Sequence, residues 1–561
     1  MKIKFLLLFL LSFAGLYAKA EAETVPQWVF DLWEKNEGLI DSIRVYPTDP
    51  EAPHLTTYII YYNQPMKHAV VGSPHFPMRA LLTVDNTVDA INAVNHVYCS
   101  GYSIDSNDLV RPNFVFAHTV DGSNEIAHRY KANNIQIEHR YFQYSAPDKC
   151  WEQLDDCRAE EAAQDFHALF DALKKVLKGK WVMSGGSKGG ITTLLQHTFF
   201  PNDMDIFVPY SAPFFDTDRD YNMQKYWYEN GWSKEFLDIF SNIRKNSLRN
   251  YEKIFPIYWK MNIGGKENTE ERRDSLFGEY LISIAQFGID EHCYKDTATI
   301  RKQMHINDSI MELKGLAYGD TVYAFMMDRG IYSLDSISKW IDTLRAYPDA
   351  KARIMRESVN KRHFRPFGIK REEWFKGETV DGNAYAYQSK CELGYYDIRF
   401  DLICDDPEDG ERWNQFWQEK YGCIRDNSKP FFKTLTFSRA LYDQAVETTK
   451  NATKPIMFIY GLDDAWTGAA MKDEFINNSN VRKYILPAQN HLVKFTSNTD
   501  PVKCTQMLQF LDQVLGSPVT SIGISAVDNE QKTGYSKVME NGQIYILRNN
   551  RKYTMSGVEV K

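Results

Sequence analysis

Short apolar runs alternate with amphipathic segments in the first part of the chain. The runs between residues 55 and 210 are rich in β-branched and aromatic side chains, a composition typical of strands. Residues 159–177 lie between two of these runs and carry apolar side chains at helical spacing. A strand, a crossover helix and a second strand form the repeating unit of a parallel sheet. The predicted strands cover residues 57–62, 79–84, 95–99, 135–138, 180–184 and 206–210.

The strand pattern stops near residue 213 and resumes with two predicted strands, 455–460 and 481–486, and a helix at 501–515. Residues 214–430 are rich in Trp, Tyr and charged side chains, and their helix-like stretches show no clear strand alternation. We therefore predict an α/β sheet domain that is split by a mainly helical insertion. The predicted domains are a sheet domain at 23–213 and 431–516, a helical cap domain at 214–430, and a polar tail at 517–561 that can form a β-hairpin.

The first residues have the pattern of a secretory signal peptide. Lys2 and Lys4 precede an apolar run at 5–16, and the small residues at 17–22 contain an Ala-x-Ala cleavage site. The run is shorter than the about 20 apolar residues that a transmembrane helix needs. We expect removal of residues 1–22 and export to the periplasm, the cell surface or the medium, with no membrane span afterwards; an uncleaved anchor is the alternative.

Composition and charge narrow the classes of partner. The chain has 561 residues, 43% of them hydrophobic, which is enough for a large core and more than one compact domain usually holds. Its net charge is −8 and it has no long basic run, so we expect no nucleic-acid partner.

Eight cysteines permit disulfides in an oxidising compartment. Cys150 with Cys157, and Cys404 with Cys423, are candidate local pairs, although the sequence leaves the connectivity open. The spacing lacks the close Cys pairs of a structural zinc site, and we expect neither a metal nor another cofactor.

The sharpest chemical signal is Gly-Gly-Ser-Lys-Gly-Gly at residues 185–190. It follows a predicted strand and precedes a predicted helix, which is the context that a Gly-x-Ser-x-Gly nucleophile turn requires. The turn is tight, so neighbouring positions must lack a Cβ, and the serine hydroxyl projects from the sheet. The sequence therefore predicts Ser187 as a catalytic nucleophile.

A serine hydroxyl needs a base, and the base needs an acid that orients it. Asp463 and Asp464 follow the strand predicted at 455–460, and His491 follows the next one. This is the order Ser, acid, His of the α/β-hydrolase fold, which we predict for the sheet domain. Asp464 is preferred because Gly-x-x-Asp is the usual spacing in this loop, and Asp463 is the alternate.

An oxyanion formed on the substrate needs two N–H donors. The backbone amide of Lys188, directly after the nucleophile, is the expected first donor. The amide of Tyr102, in the loop after the strand at 95–99, is the expected second one, although a plain turn at Gly101 explains this loop equally well.

Glu138 ends another predicted strand and should lie at the same edge of the sheet. It could bind the α-ammonium group of a substrate, as an aminopeptidase requires. It could equally form a buried structural ion pair with Arg140 or Arg111. The sequence leaves both interpretations open.

These motifs resemble a known family of secreted serine exopeptidases. The motif at 185–190, Thr-Phe-Phe-Pro-Asn-Asp-Met-Asp at 198–205 and Ser-Ala-Pro at 211–213 are similar to those of the mycelium-type tripeptidyl aminopeptidases. Residues 138–142 and 460–466 resemble further signatures of that family. The related lysosomal prolyl-Xaa carboxypeptidase and dipeptidyl-peptidase group shows similar motifs.

Two positions qualify the resemblance, which covers most of residues 55–515. Lys188 favours the first family, since the lysosomal group usually has Tyr there. Ala465 departs from the pattern, because related enzymes commonly carry Pro before the Trp. The resemblance implies release of short peptides, expected to be tripeptides, from free N-termini, with the helical insertion covering the cleft.

Three functions agree with these observations. The first is a serine exopeptidase that acts on peptides with free N-termini through Ser187, His491 and Asp464. The second keeps the same triad but hydrolyses an ester or another acyl substrate, because a fold and a triad do not define the acyl group. The third is a binding protein that has kept the fold without catalysis.

Overall fold

The structure is a computed structural model that describes most of the sheet domain and parts of the insertion. The predicted signal peptide, Cys150 and most of residues 287–379 lie outside the described residues. The described residues are 25–147, 154–230, 234–252, 255, 259, 269–286, 289, 380–428 and 430–518, and the backbone of 535–540, 543–548, 551–554 and 559–560.

A nine-stranded sheet forms the centre of the unit made by residues 1–517, with the strand order β1-β2-β3-β5-β4-β6-β7-β8-β9. Strands β1, β2 and β3 pair antiparallel, as do β3 and β5, and all other neighbours pair parallel. After its first strand this is the order of the α/β-hydrolase fold, so that prediction is confirmed. The strands are β1 (Ile40–Val45), β2 (Leu55–Pro65), β3 (His75–Asp85), β4 (Asn95–Tyr98), β5 (Asn133–Ile137), β6 (Trp181–Gly186), β7 (Ile206–Tyr210), β8 (Ile456–Gly461) and β9 (Val481–Leu486).

Helices cover both faces of this sheet. Alternate residues of β8 point to opposite sides, with Phe458 in one core cluster and Met457 in the other. Phe166 belongs to the first cluster and Met507 to the second, so the two faces are closed by different helices. The helices are α1 (Gln27–Glu34), α2 (Ser106–Val110), α3 (Pro112–His118), α4 (Glu125–Tyr130), α5 (Ala159–Lys174), α6 (Lys188–Phe199), α7 (Asn222–Asn230), α8 (Lys234–Arg249), α9 (Glu270–Ala285), α10 (Val380–Gln388), α11 (Pro407–Tyr421), α12 (Ile424–Ser428), α13 (Ala440–Lys450) and α14 (Pro501–Leu515).

The described part of the insertion contains helices α7 to α12. Leu281 on α9 and Trp417 on α11 belong to one buried apolar cluster, which also includes Phe400 between these helices. The insertion therefore has a core of its own, separate from the two clusters that flank the sheet.

The C-terminal residues 518–561 form a compact unit distinct from residues 1–517. Its described backbone is an antiparallel sheet of four strands, which is larger than a single hairpin. The strands are β10 (Tyr535–Glu540), β11 (Gln543–Arg548), β12 (Arg551–Thr554) and β13 (Glu559–Val560).

Two further predictions concern membranes and disulfides. Within the described ranges, every helix is too short or too polar to cross a bilayer. The predicted Cys404–Cys423 disulfide is wrong, because both residues are thiols. Cys404 packs beside the apolar cluster of the insertion, whereas Cys423 is buried with its Sγ 3.8 Å from Lys390 Nζ.

Candidate active site

Ser187 lies in the turn between β6 and α6, with φ 56° and ψ −121°. A non-glycine residue rarely adopts a positive φ, and such strain is concentrated at functional sites. Its N–H donates to Tyr210 O at 2.9 Å, and its carbonyl accepts from Ile191 N at 3.1 Å. The backbone is thus held from both sides, and the half-buried side chain lies at the carboxyl end of β6.

Gly185 and Gly189, on either side of Ser187, are required by close contact with backbone. A Cβ on Gly185 would lie 2.4 Å from Cys99 O, and one on Gly189 would lie 2.0 Å from the same atom. Both distances are far below van der Waals contact, and backbone atoms cannot move aside as a flexible side chain can. The two glycines of the motif are therefore explained by the close approach of the chain segment that follows β4.

Asp464 and His491 meet in the loops after β8 and β9. His491 Nδ1 donates to Asp464 Oδ2 at 2.9 Å, and Trp466 N–H donates to Asp464 Oδ1 at 3.0 Å. Asp464 is 0% exposed, so its charge is held by these donors rather than by water. The carboxylate that the structure brings to His491 is Asp464, the preferred member of the predicted Asp463/Asp464 alternatives.

Backbone contacts bring the loops after β6, β7, β8 and β9 to one edge of the sheet. Ser211 N–H donates to Ile459 O at 2.8 Å, and Ser211 Oγ donates to His491 O at 3.1 Å. A Cβ on Gly461 would lie 2.3 Å from Gln489 O, so the aspartate loop rests against the histidine loop. Since Ser187 N–H is bound to the residue before Ser211, the nucleophile turn belongs to the same network.

The two predicted oxyanion donors have different surroundings. Lys188 is the first residue of α6, where an amide has no acceptor within the helix and the helix dipole favours an anion. The amide of Tyr102 instead donates to Ser100 Oγ at 3.1 Å, so it is already used by its own loop. That loop does lie beside the nucleophile turn, because a Cβ on Gly101 would be 2.8 Å from Gly189 N.

The side chain of Lys188 is a feature that sequence reasoning missed. It is 1% exposed, and its Nζ donates to Gly101 O at 2.5 Å. The same Nζ lies 5.2–5.7 Å from the ring centroids of Tyr102, Phe142 and Tyr385. Burial lowers the pKa of Lys188 to about 8. The ammonium group therefore depends on a carbonyl and three aromatic faces to compensate for lost hydration.

Glu138 is occupied by protein partners. Its carboxylate is 0% exposed and accepts from Arg79 Nη2 at 2.8 Å, from Ser145 N and Oγ at 3.0 Å, and from Ile104 N at 3.3 Å. These contacts favour the buried ion pair over the α-ammonium site. The partners named from the sequence were wrong, since the cation is Arg79. Arg140 binds Asp165 and Arg111 binds Asp49.

Aromatic side chains connect His491 to the Lys188 side of the site. Successive ring centroids are 6.1 Å apart for His491 and Trp466, 6.0 Å for Trp466 and Tyr395, 6.0 Å for Tyr395 and Tyr385, and 5.5 Å for Tyr385 and Tyr102. We call Tyr102, Tyr385, Tyr395 and Trp466 the aromatic arc. Two of its members come from the sheet domain and two from the insertion. The ring of Tyr395 also contacts Arg425, whose Cζ lies 3.6 Å from its centroid, and Tyr396, whose ring centroid is 4.5 Å away.

Among the described residues, His167, Asp171 and Asp203 could offer three ligand atoms to a metal, all within 4.8 Å of one another. Their contacts have a simpler explanation. His167 Nδ1 binds Asp203 at 2.8 Å and His167 Nε2 lies 3.5 Å from Asp171, while Lys174 Nζ is 3.8 Å from Asp203. Hydrogen bonds and a nearby cation already balance these carboxylates.

Comparison with known proteins shows which family part of the chain resembles. Residues 48–262 match the model of the family described as PS-10 peptidase S37. A prolyl tri/tetrapeptidyl aminopeptidase of Streptomyces mobaraensis is 26% identical over 246 residues, which are 43% of this chain and 47% of that protein. The match thus spans about half the length of this curated relative.

Solved structures align over most of the chain at low similarity. A peroxisomal α/β-hydrolase of Saccharomyces cerevisiae aligns with 9% identity over 85% of this chain and 94% of its own, with a TM-score of 0.33. A proline iminopeptidase of Mycobacterium smegmatis aligns with 12% identity over 84% and 98%, with a TM-score of 0.28. The fold assignment therefore rests on the strand order. The sequence matches confirm the resemblance to the tripeptidyl aminopeptidase family, and residues 48–262 of the chain are similar to the S37 serine peptidases.

Proposed function

We propose that the protein is an exported serine exopeptidase that releases short peptides, in particular tripeptides, from free N-termini. The observation that carries this proposal is the buried hydrogen bond of 2.9 Å between His491 Nδ1 and Asp464, at the sheet edge where Ser187 occupies its strained turn. The match to the S37 peptidase family over residues 48–262 supports peptides as substrates. Export is supported by the signal-peptide pattern of residues 1–22.

The proposed chemistry follows from the roles of these three side chains. Because Asp464 accepts the Nδ1 proton, Nε2 of the neutral His491 ring carries a lone pair that can take the proton of Ser187 Oγ as this oxygen attacks the substrate carbonyl. The Lys188 amide stabilises the oxyanion of the tetrahedral intermediate. His491 then protonates the leaving amine, and the acyl-enzyme on Ser187 is hydrolysed by water through a second tetrahedral intermediate.

The aromatic arc supports a preference for proline at the residue before the cut. The Streptomyces relative is named a prolyl tri/tetrapeptidyl aminopeptidase. A pyrrolidine ring packs well against tyrosine and tryptophan faces, and the arc extends from His491 to the neighbourhood of Lys188. We propose that the arc forms the pocket for this residue, with Tyr385 and Tyr395 as the contribution of the insertion.

A panel of substrates tests the proposal. The protein without residues 1–22 is given tripeptidyl, dipeptidyl and single-residue amides, each free and N-acetylated, together with a short-chain ester. The expected result is turnover of the free-amine tripeptidyl amide, with proline before the cut as the best substrate, and loss of this turnover in Ser187→Ala. Turnover of the ester alone would support the acyl hydrolase, and failure to hydrolyse any member would support the binding protein.

A further inference from the structure

Glu125, the first residue of α4, is a buried carboxylate outside the predicted triad. It is 1% exposed and accepts four hydrogen bonds. Oε1 accepts from Tyr210 Oη at 2.9 Å and from Phe495 N at 3.2 Å. Oε2 accepts from Thr496 N at 3.1 Å and from Thr496 Oγ at 2.9 Å. Three of these four donors belong to residues 491–497, which we call the histidine loop.

The fourth donor, Tyr210, connects this carboxylate to the nucleophile. Tyr210 is the last residue of β7, and its carbonyl accepts the N–H of Ser187 at 2.9 Å. The next residue, Ser211, donates its hydroxyl to the carbonyl of His491 at 3.1 Å. Glu125 therefore binds the distal part of the histidine loop and, through Tyr210, the strand end that holds both Ser187 and His491.

The segment before Glu125 supports the same loop from the same side. Lys494 Nζ donates to Val120 O at 3.3 Å. A Cβ on Gly122 would lie 3.0 Å from Val493 O, so the two backbones are in close contact there. Residues 120–125 thus form a platform on which the histidine loop rests.

We propose that Glu125 is a positioning residue for catalysis: it fixes the histidine loop to the end of β7 and so keeps His491 aligned with Ser187. This inference rests on the proposed function of Ser187 and His491. All four partner groups donate a hydrogen, and a carboxylate can accept hydrogen bonds at both of its oxygens. The amide of a glutamine would instead place its NH2 group against two of these four donors. Glutamine is therefore a poor replacement although it has nearly the same shape.

The experiment compares three variants of the full enzyme on a free-amine tripeptidyl amide. Glu125→Gln should lower kcat roughly 10- to 100-fold, because small misplacement of a catalytic base is costly, while KM changes less than about threefold. Tyr210→Phe removes one donor and leaves the loop anchored, so its loss in kcat should be smaller. The matched control is Asp165→Asn on α5, which weakens the buried ion pair between Asp165 and Arg140 and should lower thermal stability without this selective loss of kcat.

The outcomes separate the inference from the proposed function. Unchanged kcat in Glu125→Gln, with an inactive Ser187→Ala, would overturn the positioning role and leave the triad standing. The inference would also be overturned if Glu125→Gln and Asp165→Asn changed kcat and KM to the same extent for the same loss of stability. Turnover that survives Ser187→Ala would instead refute the proposed function. If Glu125→Gln does not fold, Thr496→Val, which removes one donor, must lower kcat at constant KM, and an unaltered kcat there would contradict the inference.

Discussion

Replacement of Asp464 by asparagine tests the proposed acid of the triad with minimal change in shape. Asp464 Oδ1 accepts from Trp466 N–H, and Oδ2 accepts from His491 Nδ1. If the asparagine keeps its oxygen toward Trp466, its NH2 group must face Nδ1. His491 would then carry its proton on Nε2 and could no longer accept the proton of Ser187.

The expected loss follows from this change of tautomer. A triad with an asparagine in place of the aspartate loses about 10⁴-fold in kcat, or about 5 kcal/mol of transition-state stabilisation. Asp463→Asn is the matched control, because it alters the same kind of side chain one residue earlier and should change kcat less than about threefold. The assay is steady-state hydrolysis of a free-amine tripeptidyl amide. A large loss in Asp463→Asn with an active Asp464→Asn would refute the assignment.

Three further predictions concern residues around the triad. Burial lowers the pKa of Lys188 to about 8, so between this value and its ordinary pKa the unfolded chain binds the proton more strongly than the folded chain. The free energy of unfolding of the wild type should therefore rise by roughly 2 kcal/mol between pH 7.5 and 9.5, as measured by urea unfolding. Lys188→Met should abolish this rise. A parallel gain in the variant would contradict this. Glu138→Gln should lower the free energy of unfolding by about 3–5 kcal/mol, because Arg79 keeps an uncompensated buried charge. It should change KM equally for free and N-acetylated substrates. A selective rise of KM for free-amine substrates would instead support Glu138 as the binding site of the substrate α-ammonium group. Tyr395→Leu should lower kcat/KM for a proline substrate up to about tenfold relative to alanine, the worth of one aromatic contact, and an equal loss for both would exclude the arc as the proline pocket.

The sheet, and the location of the three proposed triad residues in the loops at one of its edges, could be predicted from the sequence for a definite reason. Each of these residues lies in the turn or loop after a strand, and the carboxyl ends of parallel strands share one edge of a sheet. The strand β1 was missed because its sequence, Ile-Asp-Ser-Ile-Arg-Val, lacks the long apolar run of a central strand. It needs less apolar surface, since it lies at the edge and pairs only with β2.

The partners of individual polar groups could not be predicted, because they depend on three-dimensional contacts. The Tyr102 amide donates a hydrogen bond to Ser100 Oγ within its own loop, and Glu138 forms an ion pair with Arg79 on β3. Glu125 binds a loop 370 residues further along the chain. The aromatic arc likewise depends on contacts between distant residues, because it combines side chains of the sheet domain and of the insertion. The pattern in the sequence indicates where strands end, but not which side chain fills each neighbouring position.

Ser187 is at the centre of the proposed chemistry, and covalent labelling addresses it directly. The intact protein is treated with a fluorophosphonate, digested, and analysed by mass spectrometry to locate the modified residue. The predicted result is one adduct, on Ser187, whose rate of formation falls more than about 100-fold in His491→Ala because the base is lost. An adduct on another residue, or none on protein that is hydrolysing its substrate, would contradict Ser187 as the nucleophile.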